Sequence, residues 1–69
     1  MRIEVSHHAK KRMRQRGISI LHIRHILRFP IKTCINHDKT ISVFANIENR
    51  TIELVYAKKE NYINIVTVI

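Results

Sequence analysis

The sequence predicts an α+β domain in the order β-α-α-β-β-β-β. A short N-terminal strand and two helices lead into an antiparallel four-stranded meander, with both helices packed on one of its faces. Three observations predict it. Hydrophobic periodicity changes once, near Pro30, from a helical to an alternating pattern. The connectors beyond that point are only a few residues long, and such links join antiparallel neighbours because parallel ones need a long crossover. Finally, 69 residues with 45% apolar content suffice for one core and one domain, a helical half over residues 1–30 and a strand half over 31–69.

Each element has its own signal. Ile3 and Val5 alternate with Arg2 and Glu4, the pattern of a short strand. Ser6 is placed to cap the helix that follows, since its hydroxyl accepts an otherwise unpaired N–H of the first turn. Gly17 fits the left-handed position beyond that helix, with Arg14 and Arg16 beside the negative end of the dipole. Ser19 caps a second helix from about Ile20 to Arg28, with an apolar stripe of Ile20, Ile23, Ile26 and Leu27. Pro30 ends it by restricting Phe29. Ile31, Thr33 and Ile35 then alternate with Lys32, Cys34 and Asn36, and His37-Asp38-Lys39 turns the chain. Ile41, Val43, Ala45 and Ile47 share one strand face, Glu48-Asn49-Arg50 is the next turn, and Ile52, Leu54 and Tyr56 oppose Glu53 and Val55. After a turn over Lys58 to Asn61, the β-branched run Tyr62–Ile69 closes the sheet.

Composition narrows the function. The formal charge is +8, which favours polyanionic partners: RNA or DNA, an acidic protein or an anionic surface. No apolar run approaches the roughly 20 residues of a membrane span, so no membrane role is expected. One cysteine forms no internal disulfide, and with no signal-like segment a reducing cytoplasm is the expected compartment.

The charge is clustered. Lys10, Lys11, Arg12, Arg14 and Arg16 fall between Ser6 and Ser19, a stretch without an acidic side chain. On a helix, His8, Arg12 and Arg16 stack at four-residue intervals, while Ala9 and Met13 beside them face the sheet. The row is therefore expected at the helix–sheet boundary. Guanidinium forks match phosphate oxygens and imidazole moves protons near neutral pH, so this row suits a phosphodiester. Lys10, Lys11 and Arg14 point outward and, with Arg24 and Arg28 of the second helix, are the expected backbone contacts to nucleic acid. The bland reading of the same stretch is a solvated basic helix with His8 packed on the core.

Other constellations are weaker. His22 and His25 on one helix, the adjacent His7 and His8, and Cys34 on a strand do not converge as zinc ligands do, so no metal and no cofactor are expected. Cys34 lacks the patterned base of a nucleophile and reads as a small strand residue. Tyr56, Tyr62 and Phe44 suit base stacking in single-stranded RNA sites, but aromatics this few also read as core. Thr67 interrupts the closing apolar run, which in a strand is ordinary.

Ser6, His8-Ala9, Arg12-Met13 and Arg16-Gly17-Ile18-Ser19, followed by a helix ending at Pro30, resemble the opening signature of the domain of unknown function 4258 family. The closing Ile65-Val66-Thr67-Val68 is similar to that family's last strand, although the aromatic expected next is Ile69 here. The resemblance spans nearly the whole chain. It implies a fold similar to the RelE/ParE-like toxins, often ribonucleases whose groove is covered by an antitoxin. Carried over by position, it points to His8, Arg12, Arg16 and Thr67 as catalytic residues.

Two readings follow. In the first, the protein is a metal-independent ribonuclease of a toxin–antitoxin type system, with RNA supplying its own 2′-OH nucleophile, His8 moving the proton and the arginines holding the phosphate. In the second it is a non-catalytic module. Its two helices superficially resemble a helix-turn-helix, with Arg24, Arg28, His22 and His25 on the second, or its basic face meets an acidic protein such as an antitoxin. A homodimer is also expected, because an apolar closing strand over Ile63 to Ile69 would be a liability as an exposed edge.

Overall fold

The computed structural model describes residues 2–69. Its elements are β1 (Arg2–Val5), α1 (His7–Arg16), α2 (Ile20–Arg28), β2 (Lys32–Ile35), β3 (Ile41–Ile47), β4 (Arg50–Lys58) and β5 (Tyr62–Val68). The helix boundaries sit where the capping residues require. Ser6 accepts the Ala9 N–H at 3.0 Å and opens α1. Gly17, at φ 67°, closes it in a Schellman arrangement: the Ile18 N–H reaches the Met13 carbonyl at 2.9 Å and the Gly17 N–H the Arg14 carbonyl at 3.4 Å. At the start of α2 the Ser19 hydroxyl accepts the His22 N–H at 3.3 Å, and the Ser19 N–H donates to His22 Nδ1 at 3.1 Å. This reciprocal capping box uses an imidazole where Glu or Gln is usual.

The sheet order is β1-β5-β4-β3-β2. β2 to β5 form the expected antiparallel meander. The expected four-stranded antiparallel sheet is nevertheless corrected, because β1 joins as a fifth strand, parallel to β5, pairing Ile3 with Ile63 and Val5 with Ile65. The connection from β1 back to β5 is the rest of the domain, long enough for a parallel crossover. The sheet is mixed, its edges are β1 and β2, and β5 is internal. The edge-strand argument for a homodimer falls with it, since the backbone of β5 is paired on both sides.

The core lies between this sheet and the two helices. Val43, Ala45, Ile47, Ile52, Leu54, Ile63, Ile65 and Val68 face Ala9, Ile18, Ile23 and Ile26, all buried. The predicted face of β3 and β4 is therefore the core face. That of β2 is only half realised: Ile35 pairs with Ile41 but stays 78% exposed, because neither helix reaches the edge strand. The β3–β4 turn is also tighter than its expected three residues. Glu48 and Asn49 alone make it, both at positive φ (50° and 67°), as a two-residue type I′ hairpin requires, and Arg50 is already in β4.

β5 carries the irregularity that matters most. Tyr56 pairs with Ile65 and Val55 with Thr67, so Val66 is an extra residue, a β-bulge. The bulge returns Val68 to the core, opposite Leu54. It also re-aims Thr67, which strict alternation from Ile63 and Ile65 would have put in the core.

Candidate nucleic-acid interface

The bulge and the α1 cap are tied together. The Ser6 N–H donates to the Ile65 carbonyl at 3.1 Å, and the Ser6 hydroxyl donates to the Val66 carbonyl at 3.1 Å while accepting the Ala9 N–H. One serine thus caps α1 and pins its first turn to the bulged stretch of β5. Ala9, with no exposed surface, lets helix and strand approach closely. In this frame His8 projects from the first turn toward the sheet edge of the contact, and its Nε2 lies 3.1 Å from Thr67 Oγ1. The hydroxyl can accept from Nε2 or donate to it; when Nε2–H donates, Nδ1 keeps a free lone pair that can accept a proton.

Arg12 stands one helical turn on, half-buried at the same boundary. Its Nη1 donates to Gln15 Oε1 at a long 3.4 Å. Its Nε is buried and has no hydrogen-bond partner among the described residues, and the ion pairs found there, Arg2–Glu4 and His22–Glu48, leave it aside. The guanidinium thus keeps its charge uncompensated at the boundary, available to a phosphate through its outer nitrogens because the buried Nε is closed to one. The positive end of the α1 dipole, with no acidic side chain in the first turn, adds to the same field.

Arg16 is exposed at the end of α1, where its carbonyl accepts from Arg50 Nη1 at 2.7 Å, a cap that sequence reasoning missed. Lys10, Lys11 and Arg14 are exposed on α1 as expected, with Lys10 and Arg14 flanking an apolar recess that includes Met13, Ile18 and Ile20. Arg24 and Arg28 do not join this cluster. They lie beside Ile3 and Leu27, and Ile3 pairs at the start of β5 while Thr67 lies near its end. The structure therefore brings together His8 and Thr67, places Arg12 one helical turn from His8, keeps Lys10, Lys11, Arg14 and Arg16 on the same helix, and sets Arg24 and Arg28 apart at the other end of the sheet.

The remaining candidates have other employment. His22 spends Nδ1 on the α2 cap, leaving Nε2–H 3.5 Å from Glu48 Oε1. His25 packs against the Phe29 ring at 5.2 Å. Cys34 lies on the edge strand β2 opposite Ser42. Tyr56 packs on the core, whereas Tyr62 and Phe44 face the helix-free side, under Arg2 (5.2 Å) and Lys32 (5.9 Å) respectively. They belong to non-adjacent strands, paired toward opposite ends of β4, so they form no continuous stacking platform. No helix of the described residues is long and apolar enough to cross a membrane.

No curated protein and no solved structure matches this sequence. A family model does, over residues 5–69, a span that runs from the serine-capped His/Arg helix to the bulged closing strand. The chain belongs to the family described as Domain of unknown function (DUF4258).

Proposed function

We propose that this protein binds the RNA backbone along α1 and cleaves it without a metal ion, in the manner of a toxin of a toxin–antitoxin system. The observation that carries the reading is the contact of His8 Nε2 with Thr67 Oγ1 at 3.1 Å, beside the unpaired Nε of Arg12. RNA brings its own nucleophile. The 2′-OH attacks the adjacent phosphorus as His8 takes its proton, negative charge grows on the phosphorane oxygens beside Arg12, and the P–O5′ bond breaks as O5′ takes a proton from solvent water, with Arg16 at the end of α1 left to hold a neighbouring phosphate. The products are a 2′,3′-cyclic phosphate and a 5′-hydroxyl. Lys10, Lys11 and Arg14 add sequence-independent phosphate affinity. A helix pair followed by an antiparallel meander is also the arrangement implied by the resemblance to RelE/ParE-like toxins.

One observation favours a second reading, a backbone clamp without chemistry: His8 supplies a single imidazole to this contact, whereas transesterification uses both a base and an acid. The deciding experiment incubates purified protein with RNA and its DNA analogue in the presence of a chelator. Cleavage of RNA alone is expected, lost by roughly a hundredfold or more in His8→Ala with RNA affinity retained. Arg12→Ala is expected to lose both. Turnover that survives His8→Ala sinks the mechanism, and salt-sensitive binding without turnover in the wild type selects the clamp.

A further inference from the structure

The helices cover one end of the sheet only in part. α2 stops at Arg28, and where β5 begins and β4 finishes Ile63 is buried while Ile3, Leu27, Ile41 and Tyr56 keep part of their surface on the core side. There the sheet presents a cleft of about 360 Å³ lined by Ile3, Leu27, Ile41, Tyr56, Lys58 and Ile63. The strand register sets these residues in two short rows offset by two residues along β4. Ile3, Ile63 and Lys58 are paired in one, and Tyr56, Ile41 and Ile35 in the other, so the stepped row touches all five strands. Its floor is apolar, and its outer end, Ile35, is 78% exposed.

We propose that this row is the docking site of an acidic amphipathic helix from a partner protein. Geometry favours a helix. The stepped row runs obliquely across the strands: its side chains recur at the interstrand spacing of about 4.8 Å, with one step of nearly 7 Å along β4 from Lys58 to Tyr56, a spread that brackets the 5–6 Å separating i, i+3 and i+4 side chains on a helix. Four such spacings span about 19 Å, which a helix rising 1.5 Å per residue covers in about 13 residues. A strand laid along the same row would offer same-face side chains at nearly 7 Å and fall out of step.

Charge selects the partner. Arg24 and Arg28 border the row from α2, and Lys58 lines it. The adjoining turns bring Lys39 and Lys59 against only Asp38 and Glu60. Arg24, Arg28 and Lys58 are in no ion pair among the described residues. A second copy would bring the same cations and a net charge of +8 to the contact, so self-association is opposed. A nucleic acid would set its phosphates and sugars against the apolar side chains of Ile3, Leu27, Ile41 and Ile63. A helix with an apolar stripe and Asp or Glu on both flanks satisfies floor and rim together. The site lies at the opposite end of β5 from Thr67, so it stands or falls independently of RNA cleavage.

The test selects a displayed library of 15-residue peptides on the purified chain, then maps the winners by amide and methyl chemical shifts. Winners are expected to share apolar residues at i, i+3/i+4 and i+7 with acidic flanks, and to shift Ile3, Leu27, Ile41, Tyr56 and Ile63. The exposed double variant Arg28→Glu/Lys58→Glu, which leaves the core intact, is expected to weaken them by roughly tenfold or more. Basic winners, winners that bind elsewhere, an empty selection, or affinity untouched by the double variant would each overturn the proposal. So would occupation of the row by a second copy in sedimentation and shift measurements, or by vesicles of anionic lipid with the winning peptides failing to compete.

Discussion

His8 Nε2 and Thr67 Oγ1 are separated by 59 positions in the chain and by 3.1 Å in the fold. Two local devices make the contact: the Ser6 cap that fixes where α1 starts, and the bulge at Val66 that turns Thr67 away from strict alternation. Thr67 acts on the imidazole, so it is a positioning residue, and its removal is expected to change the ring before it changes the fold. In Thr67→Val, ¹⁵N shifts of His8 should move from one dominant tautomer toward a mixture, with stability falling by no more than about 1 kcal/mol, the worth of an exposed hydrogen bond. RNA cleavage should fall roughly tenfold through turnover rather than affinity, and Thr67→Ser should restore both signals. A tautomer ratio that ignores Thr67→Val means the hydroxyl does not orient the ring.

Ser6 does two jobs that one substitution can separate. Ser6→Ala removes the cap acceptor, worth about 1 kcal/mol, and also orphans the Val66 carbonyl, worth about another 1 kcal/mol. For a domain this small, a loss of about 2 kcal/mol lowers Tm by on the order of 10 °C. Ser6→Asp keeps the acceptor and loses only the donor, so it should recover about half of the deficit in urea denaturation. If the two variants are equally unstable, the bond to Val66 carries the whole effect and the cap carries none.

Much of this fold was legible because its punctuation is local. Ser6, Gly17, Ser19 and Pro30 set the helix limits through contacts within a few residues, and the alternation in β3 and β4 marked their core face directly. The pairing of β1 was not legible, since a parallel partner some 60 residues away leaves no local signature. The bulge hid in the run Ile65-Val66-Thr67-Val68-Ile69, where nearly every position is apolar and a one-residue shift leaves the pattern looking unchanged. For the site, helical spacing alone placed His8 and Arg12 at the boundary. Thr67 came from family resemblance and not from its own surroundings, and the caps made by Arg50 and His22 depend on long-range or unusual partners that no spacing rule describes.

Asp38 gives the β2–β3 turn a pH dependence whose sign follows from its bonds. The Thr40 hydroxyl donates to Asp38 Oδ1 at 2.6 Å and the Thr40 N–H to the same oxygen at 3.0 Å. These two bonds, the side-chain one first, hold the carboxyl below its ordinary 3.8. A carboxyl depressed in the folded state stabilises it at pH above the unfolded value, and that contribution fades as pH falls through the folded one. Stability should therefore drop on the acid side of about pH 4, and in Asp38→Asn this part of the profile should flatten. Because the group is fully exposed, the change is small, and urea midpoints at pH 3 and pH 6 for both proteins are the measurement. An unaltered acid slope in Asp38→Asn would assign it to the other carboxylates.

Ala9 tests whether close approach of α1 to β5 is what assembles the site. It has no exposed surface, and its methyl group sits where helix and strand meet. A larger side chain there must lift α1 or shift β5, at a typical cost of about 1–3 kcal/mol. Ala9→Leu is therefore expected to lower the urea midpoint, and also to break the contact of His8 with Thr67 although neither residue is altered. Ala9→Ser, which barely changes volume and places its hydroxyl within reach of the α1 carbonyls, should cost less and leave the His8 tautomer in place. The informative result is the relation between the two readouts. If Ala9→Leu destabilises the fold while the ¹⁵N signature of His8 stays as in the wild type, helix–strand spacing does not control the site, and the Ser6 anchor alone holds His8 against Thr67.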